Sequence, residues 1–300
     1  MRSENRLIEA VDSELIWILV KTALPVARKY FPYTPDFDRE YRFLQILNAS
    51  RNRHNRIIRD IAAVSSGDKH SILFPLAELD LAKFLMIRDL SSLRLEDLIT
   101  EAYNILDALS WLHSGICTSD GKPLIGCHLD LNPKNILVFL DPRPSETTDS
   151  VGIWRITDFS TAILIDEHGE RLLPPPRLFS EIYNAPEINN ASGETDASTS
   201  SDIWSFGCIL FEVLLAHVDG KEVFLTWKDR FGNSPCYYEE GLVGRVLGSR
   251  VQDWLSEEHG TSHAVHLCIE MISNMLVVEP TKRPTARELL GRLKLVIQRS

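Results

Sequence analysis

No glycine occurs before Gly67 in this chain of 300 residues. A backbone that must bring its N–H groups close to a bound group relies on residues without a Cβ, so residues 1–66 exclude a glycine-rich loop. Cysteine is scarce: five, at positions 117, 127, 208, 236 and 268, with no C-x-x-C pair. An odd, scattered count favours reduced thiols in an intracellular compartment, cytoplasm or nucleus, over a disulfide framework. Basic residues are in the minority, 32 Lys and Arg against 42 Asp and Glu. The resulting charge of −10 argues against a general binder of nucleic acid or of acidic membranes. Long apolar runs are lacking too. The best, Cys208 to Val218, is interrupted by Glu212 and His217, which predicts no membrane span. Charges at Arg2, Glu4, Arg6, Glu9, Asp12 and Glu14 leave no apolar centre for a signal peptide, so the expectation is a soluble protein.

What is present is ordinary globular material, with a hydrophobic fraction of 44% and no internal repeat. Asp141–Gly152, Leu173–Arg177 with its three prolines, and the Ser/Thr/Asn-rich Asn189–Ser201 read as surface loops. Leu98, Ala102, Ile105, Leu109 and Leu112 step by four and three residues and predict one helix. Phe37, Tyr41, Leu44 and Leu47 predict a second, with Pro35 near its start. Asp202–Ala216 is apolar nearly all round, as a buried helix is, and Thr285-Ala286-Arg287-Glu288 is a capping box opening a terminal one. Pro25–Phe31, Ser71–Leu76, Ile136–Leu140 and Ile153–Thr157 read as short strands. Strands early and helices late suit a small strand-rich lobe followed by a larger helical one.

The chemistry concentrates in His128-Leu129-Asp130-Leu131-Asn132-Pro133-Lys134-Asn135, with Asp158-Phe159-Ser160 following 23 residues after Asn135. Transfer of a phosphoryl group to a hydroxyl needs one carboxylate beside the acceptor oxygen and hard oxygen ligands for the metal ions on the phosphates. Asp130 fits the first need. Asn135 and Asp158 fit the second. Alone, His-x-Asp reads as an exposed loop; followed by L-x-P-x-N-I-L, and then by a strand entering Asp-Phe, it reads as a site.

This stretch resembles the catalytic loop and metal-binding turn of eukaryotic protein kinases. Tyr183-Asn184-Ala185-Pro186-Glu187 resembles the end of their activation segment, and Asp202-Ile203-Trp204-Ser205-Phe206-Gly207-Cys208 their buried helix. Arg283-Pro284-Thr285-Ala286 is similar to a motif near their end. The pattern FPLAELDLAKFL resembles fungal kinase-like proteins. The resemblance implies an α+β, two-lobe protein kinase-like fold over residues 1–300: a small, truncated-looking N-lobe and hinge to about residue 76, then a helical C-lobe over 77–300. It implies ATP and Mg²⁺ as cofactors, a protein Ser/Thr hydroxyl as acceptor, and Asp130, Lys29 and Asn132 in the catalytic set. Lys29, Glu40, Phe74, Leu76, Asn135 and Asp158 would bind the nucleotide, with Asn135 and Asp158 on the metal.

Val26-Ala27-Arg28-Lys29 matches V-A-x-K, with Ala27 and Lys29 on one face of a strand. Lys29 is otherwise a surface lysine on an edge strand. Glu40 lies on the apolar side of its helix, where an inward carboxylate needs a partner such as Lys29; otherwise it is a rim residue. His54-Asn55-Arg56-Ile57-Ile58 resembles the step after that helix, Leu73 would be the gatekeeper, and Phe74-Pro75-Leu76 the hinge. Glu187 with Arg283 would form a buried ion pair. Asp202 would hold the catalytic-loop backbone, act as a plain N-cap, or both.

Several positions depart from the family. Leu129 replaces an Arg that receives an activation-segment phosphate, Asn132 replaces a Lys that neutralises the transferred group, and Ser160 replaces a Gly. Lys134 is expected to point away from the acceptor. Of the hydroxyls in the activation segment, Ser160, Thr161, Ser180 and Tyr183, none stands out. Glu14–Lys21 reads as strand or helix, with Leu7, Val11, Leu15 and Ile18 in helical steps, so either the chain begins inside the domain or the nucleotide lid has been replaced. These departures leave two readings open: an active kinase, or a pseudokinase that binds nucleotide or scaffolds. A kinase of small-molecule hydroxyls is disfavoured by the Ala-Pro-Glu and buried-helix motifs.

Overall fold

The computed structural model describes residues 25–118, 120–140, 150–173, 182–189, 198–231, 237–241, 244–260 and 262–298. The expectations for Leu7–Lys21, for positions 141–149, for the three prolines, for Ser180 and Cys236, and for most of the loop over 189–197 lie outside these residues.

Three antiparallel strands, β1 (Val26–Phe31), β2 (Ala62–Ser66) and β3 (Lys69–Pro75), form one sheet in the order β1-β3-β2. Helix α1 (Thr34–Ala49) packs on it, with Pro35 in its first turn as the sequence predicts. Its buried face is Phe37, Arg39, Glu40, Phe43, Leu44 and Leu47, wider than the predicted apolar stripe, because it carries two charges inward.

Helices dominate beyond residue 80. They are α2 (Leu81–Ile87), α3 (Leu95–Ser114), α4 (Thr199–Val218), α5 (Gly220–Phe231), α6 (Ser249–Ser256), α7 (His263–Met275) and α8 (Ala286–Ile297). Short strands fill the gaps. β4 (Leu79–Asp80), β7 (Ile136–Phe139) and β8 (Ile153–Ile156) form one sheet, β5 (Ile116–Cys117), β6 (Pro123–Cys127) and β9 (Ile163–Ile165) another, and β10 (Tyr238–Gly241) pairs with β11 (Gly244–Leu247). This is the two-lobe α+β arrangement the sequence implies. The small sheet is tied to the large part by the chain after α1: the Ile58 amide donates to Ile156 O at 2.8 Å and the Ile156 amide to Arg56 O at 2.8 Å.

Helix α4 corrects two expectations. By length and composition it could cross a membrane, despite Glu212 and His217, but 89% of its most apolar window is buried within the protein. It is the core pillar, packed against α3, α5 and α7. Gly207 permits the last contact, since a Cβ there would lie 2.9 Å from that of Met275. The helix also begins earlier than Asp202: Ser198 caps it in a reciprocal box with Ser201. Asp202 is therefore not the N-cap, and its carboxylate is free for a longer-range task. The box predicted at Thr285 and Glu288 is present and opens α8.

Candidate active site

The site lies where β1 and α1 face the loops after β6 and β8. Strand alternation turns Lys29 inward, and its ammonium lies 2.6 Å from Glu40 on α1 and 2.7 Å from Asp158. Glu40 is only 1% exposed, so an inward carboxylate has found the cation it needed. Burial would push the Lys29 pKa down, but the charges of Glu40 and Asp158 outweigh it and raise it. Asp158 feels the same opposition. Burial raises its pKa, while Lys29 and the Ser160 amide pull it below the ordinary value, so it stays ionised.

The turn carrying Asp158 is fixed from several sides. Asp158 takes a left-handed backbone, φ 63°, which Asp tolerates better than most residues. Ser160 is not in that region, so the loss of glycine there brings no left-handed strain. Phe159 is buried between Phe43 of α1, stacked at 5.1 Å, and His128 at 5.1 Å. Arg39 of α1, which the sequence did not single out, donates to the carbonyls of Ser160 and Ala162. Helix α1 thus holds this turn directly through Arg39 and indirectly through Glu40, which positions the Lys29 that pairs with Asp158.

Asp202 performs the backbone task expected of it. It accepts from the amides of His128 and Leu129, each at 2.8 Å, and sits 2.9 Å from His113. The left-handed turn at Leu129, φ 64°, is held by this carboxylate, and the Leu129 side chain is buried in the core. Next to it, Asn135 Nδ2 donates to both the backbone and the side chain of Asp130, each at 2.8 Å. That leaves Asn135 Oδ1 for another partner. The Thr157 amide donates to Asn135 O at 2.9 Å, which sets Asp158 beside it. A carboxylate and a carboxamide oxygen, both hard and with room for water and phosphate, fit a Mg²⁺ ion.

Asn132 does something different from the lysine it replaces. Its amide donates to Asp130 Oδ1 at 3.0 Å, and its oxygen caps the 3₁₀ turn Pro133–Asn135 by accepting from Lys134 N at 2.9 Å. Asp130 is thus braced by two carboxamides. Burial, opposed by His128 and helped by Asp158, raises its pKa above that of a free aspartate. Of the nucleotide residues, Phe74 lies on β3 opposite Ala27, and the pairing with β2 ends at Leu73. Leu76 lies just past the strand and is exposed. The edge of β3 beyond Leu73 is thus unpaired by β2.

One expectation needs correcting. Lys134 does not turn away: it lines a cavity of about 400 Å³ together with Asp130, Asn132, Asn135, Tyr183 and Lys228. The Tyr183 hydroxyl, unremarkable in the sequence, donates to Glu212 at 2.9 Å and accepts from Lys228 at 2.8 Å.

One buried pairing frames this geometry. Glu187 and Arg283 meet at 2.7 and 2.9 Å, closing the activation segment onto the large lobe. The family model for the protein kinase domain matches residues 18–293. The chain belongs to the protein kinase family. Kinase relatives include a glycogen synthase kinase-3 homolog, YGK3, of Saccharomyces cerevisiae, 29% identical over 201 residues, covering 63% of this chain and 46% of that one. The dual specificity protein kinase CLK1 of Mus musculus is 27% identical over 253 residues, covering 73% and 48%. The serine/threonine-protein kinase ppk13 of Schizosaccharomyces pombe is 27% identical over 184 residues, covering 60% and 47%. The chain spans about half the length of these kinases.

Proposed function

We propose that this kinase domain transfers the γ-phosphoryl group of ATP to a Ser or Thr hydroxyl of a protein, with Asp130 as the base. The observation that carries the reading is the joint assembly of Lys29, Glu40 and Asp158 on one side and of Asp130 and Asn135 on the other. Lys29 would hold the phosphates, with Glu40 fixing its position. Asn135 Oδ1 and Asp158 would hold Mg²⁺, which supplies charge neutralisation on the phosphates when bound. The backbone of Phe74 and Leu76 would receive the adenine. The acceptor oxygen bonds to the γ-phosphorus as the bond from phosphorus to the bridging oxygen breaks, ADP leaves, and the hydroxyl proton passes to Asp130. Four free cysteines among the described residues suit a reducing, intracellular setting.

The second reading, a pseudokinase that binds nucleotide or scaffolds, is favoured by one observation. Asn132 is fully engaged in bracing Asp130 and brings no cation to the transferred group. Asp130→Asn decides between them. If Asp130 is the base, Mg-dependent phosphorylation of a generic Ser/Thr substrate falls by about 10²–10⁴-fold, while the thermal shift on adding Mg-ATP persists. Equal phosphorylation by both proteins removes the catalytic reading. A thermal shift with no phosphorylation by either establishes the pseudokinase.

A further inference from the structure

The cavity beside Asp130 has an unusual charge arrangement. Glu212, on α4, is 2% exposed and buried at its inner end. One of its oxygens accepts from Tyr183 at 2.9 Å, from Lys228 at 2.8 Å and from Tyr237 at 2.7 Å; the other is sealed from solvent and has no hydrogen-bond partner among the described residues. A cation on an incoming chain would have to displace Lys228 and the two tyrosine hydroxyls to reach this carboxylate. Lys228, on α5, is the reverse. It is 29% exposed, and an ammonium has three donors. Two are used, on Glu212 and on the Tyr183 hydroxyl, each at 2.8 Å. A neutral pair with its acid buried and its ammonium accessible presents a positive pole. Lys134 adds to it: it is exposed on the same cavity, and its ammonium has no acidic partner among the described residues.

We propose that this cavity takes an anionic side chain that flanks the acceptor hydroxyl on a protein substrate, either a carboxylate or a phosphomonoester, with Lys228 and Lys134 as its counter-charges. The proposal rests on the phosphoryl-transfer reading of the cleft. Asp130 makes one end of the cavity negative and the lysines make another part positive, so a peptide with a hydroxyl beside an acid matches both. The chain's net charge of −10 would repel such a peptide at long range, which makes the local lysines the deciding groups.

Binding is measured separately from turnover, using the whole chain and fluorescent peptides of one scaffold. The acceptor is Ala, and its neighbour is Glu, phosphoserine, Gln or Lys. At low salt the Glu or phosphoserine peptide binds about 5–10-fold more tightly than the Gln peptide, and the Lys peptide binds worst. The advantage shrinks as salt rises, as screening of part-exposed charges requires. Lys134→Met and Lys228→Met each reduce it, and Lys228→Arg retains it. Should Lys228→Met fail to fold because Glu212 loses its cation, Lys134→Met and Lys228→Arg still carry the test. A preference for phosphoserine alone identifies a phosphorylated substrate; equal preference for Glu identifies an acidic one. Equal binding of the Glu, phosphoserine and Gln peptides, or tightest binding of the Lys peptide, overturns the proposal. With Ser in place of Ala and ATP present, transfer without any anion preference sinks this inference alone. Anion preference without transfer sinks the phosphoryl-transfer reading alone.

Discussion

Two ion pairs in this chain have the same chemistry and opposite construction. Arg283, with a side chain 0% exposed, uses all five donors: Glu187 twice, and the carbonyls of Val277, Ser200 and Val278. Its guanidinium also lies 5.1 Å over Trp204. Lys29 is 31% exposed, divides itself between two carboxylates, and has a third donor to offer. The first pair is closed and complete, as a structural clasp must be. The second is open on one side, as the proposed role of Lys29 in holding phosphates requires. A buried pair is weak evidence for stability by itself, but breaking one partner of a closed pair is costly.

That difference predicts the largest stability effect for Arg283→Met. It leaves the buried Glu187 without its five-donor partner and should cost about 3–5 kcal/mol, read by equilibrium urea denaturation. A loss below about 1 kcal/mol, the value of an exposed pair, would show that the clasp is no more than a surface contact.

The second effect is a pH dependence at the open pair. Burial pushes the Glu40 carboxyl up from 4.5 to about 7, against the pull of Lys29. The folded chain then holds this proton more tightly than the unfolded chain. The resulting stabilisation is complete below the ordinary value of 4.5 and lost once the pH has risen through about 7. Glu40→Gln has no such proton. The stability of the native chain minus that of Glu40→Gln should therefore fall by up to about 3 kcal/mol between pH 4 and 8. The shifts at Lys29, upward from 10.5, and at Asp158, downward from 3.8, lie outside this window. A flat difference, measured by denaturation at each pH, would mean that Glu40 titrates as an ordinary exposed acid.

Both pairs were legible in the sequence because Lys29, Asp158, Glu187 and Arg283 each sit in a short motif. Glu40 announced itself by lying on an apolar face, where an inward acid needs a cation. The Asp202 contact with the catalytic loop was legible as a consequence of the buried-helix motif, but its place in the helix was not, because Ser198 competes for the cap and wins with a better-spaced partner in Ser201. Arg39 left no signal because its partners are backbone carbonyls, to which any residue type contributes equally. Lys228 was hidden for a related reason. Its role depends on Glu212, 16 residues earlier on another helix, and on tyrosines that come near only when the chain folds. Lys134 misled because its distance from Asn132 along the chain says nothing of direction in a loop; the 3₁₀ turn capped by Asn132 sets it.

The smallest stability effect is expected at Lys29, and it is the one that separates the two pairs most sharply. Lys29→Met takes the cation from Glu40, as Arg283→Met takes it from Glu187. Glu40, however, already titrates near neutrality and can take up a proton instead of remaining a bare buried charge. Asp158 keeps the Ser160 amide and, 31% exposed, has water. The loss should then be about 1 kcal/mol at neutral pH, well under that of Arg283→Met, while Mg-ATP loses its thermal shift and phosphorylation falls by about 10²-fold or more. Denaturation and thermal shift on one preparation check both. If Lys29→Met unfolds the protein as readily as Arg283→Met, the open pair is a second clasp, and its exposure has no functional meaning.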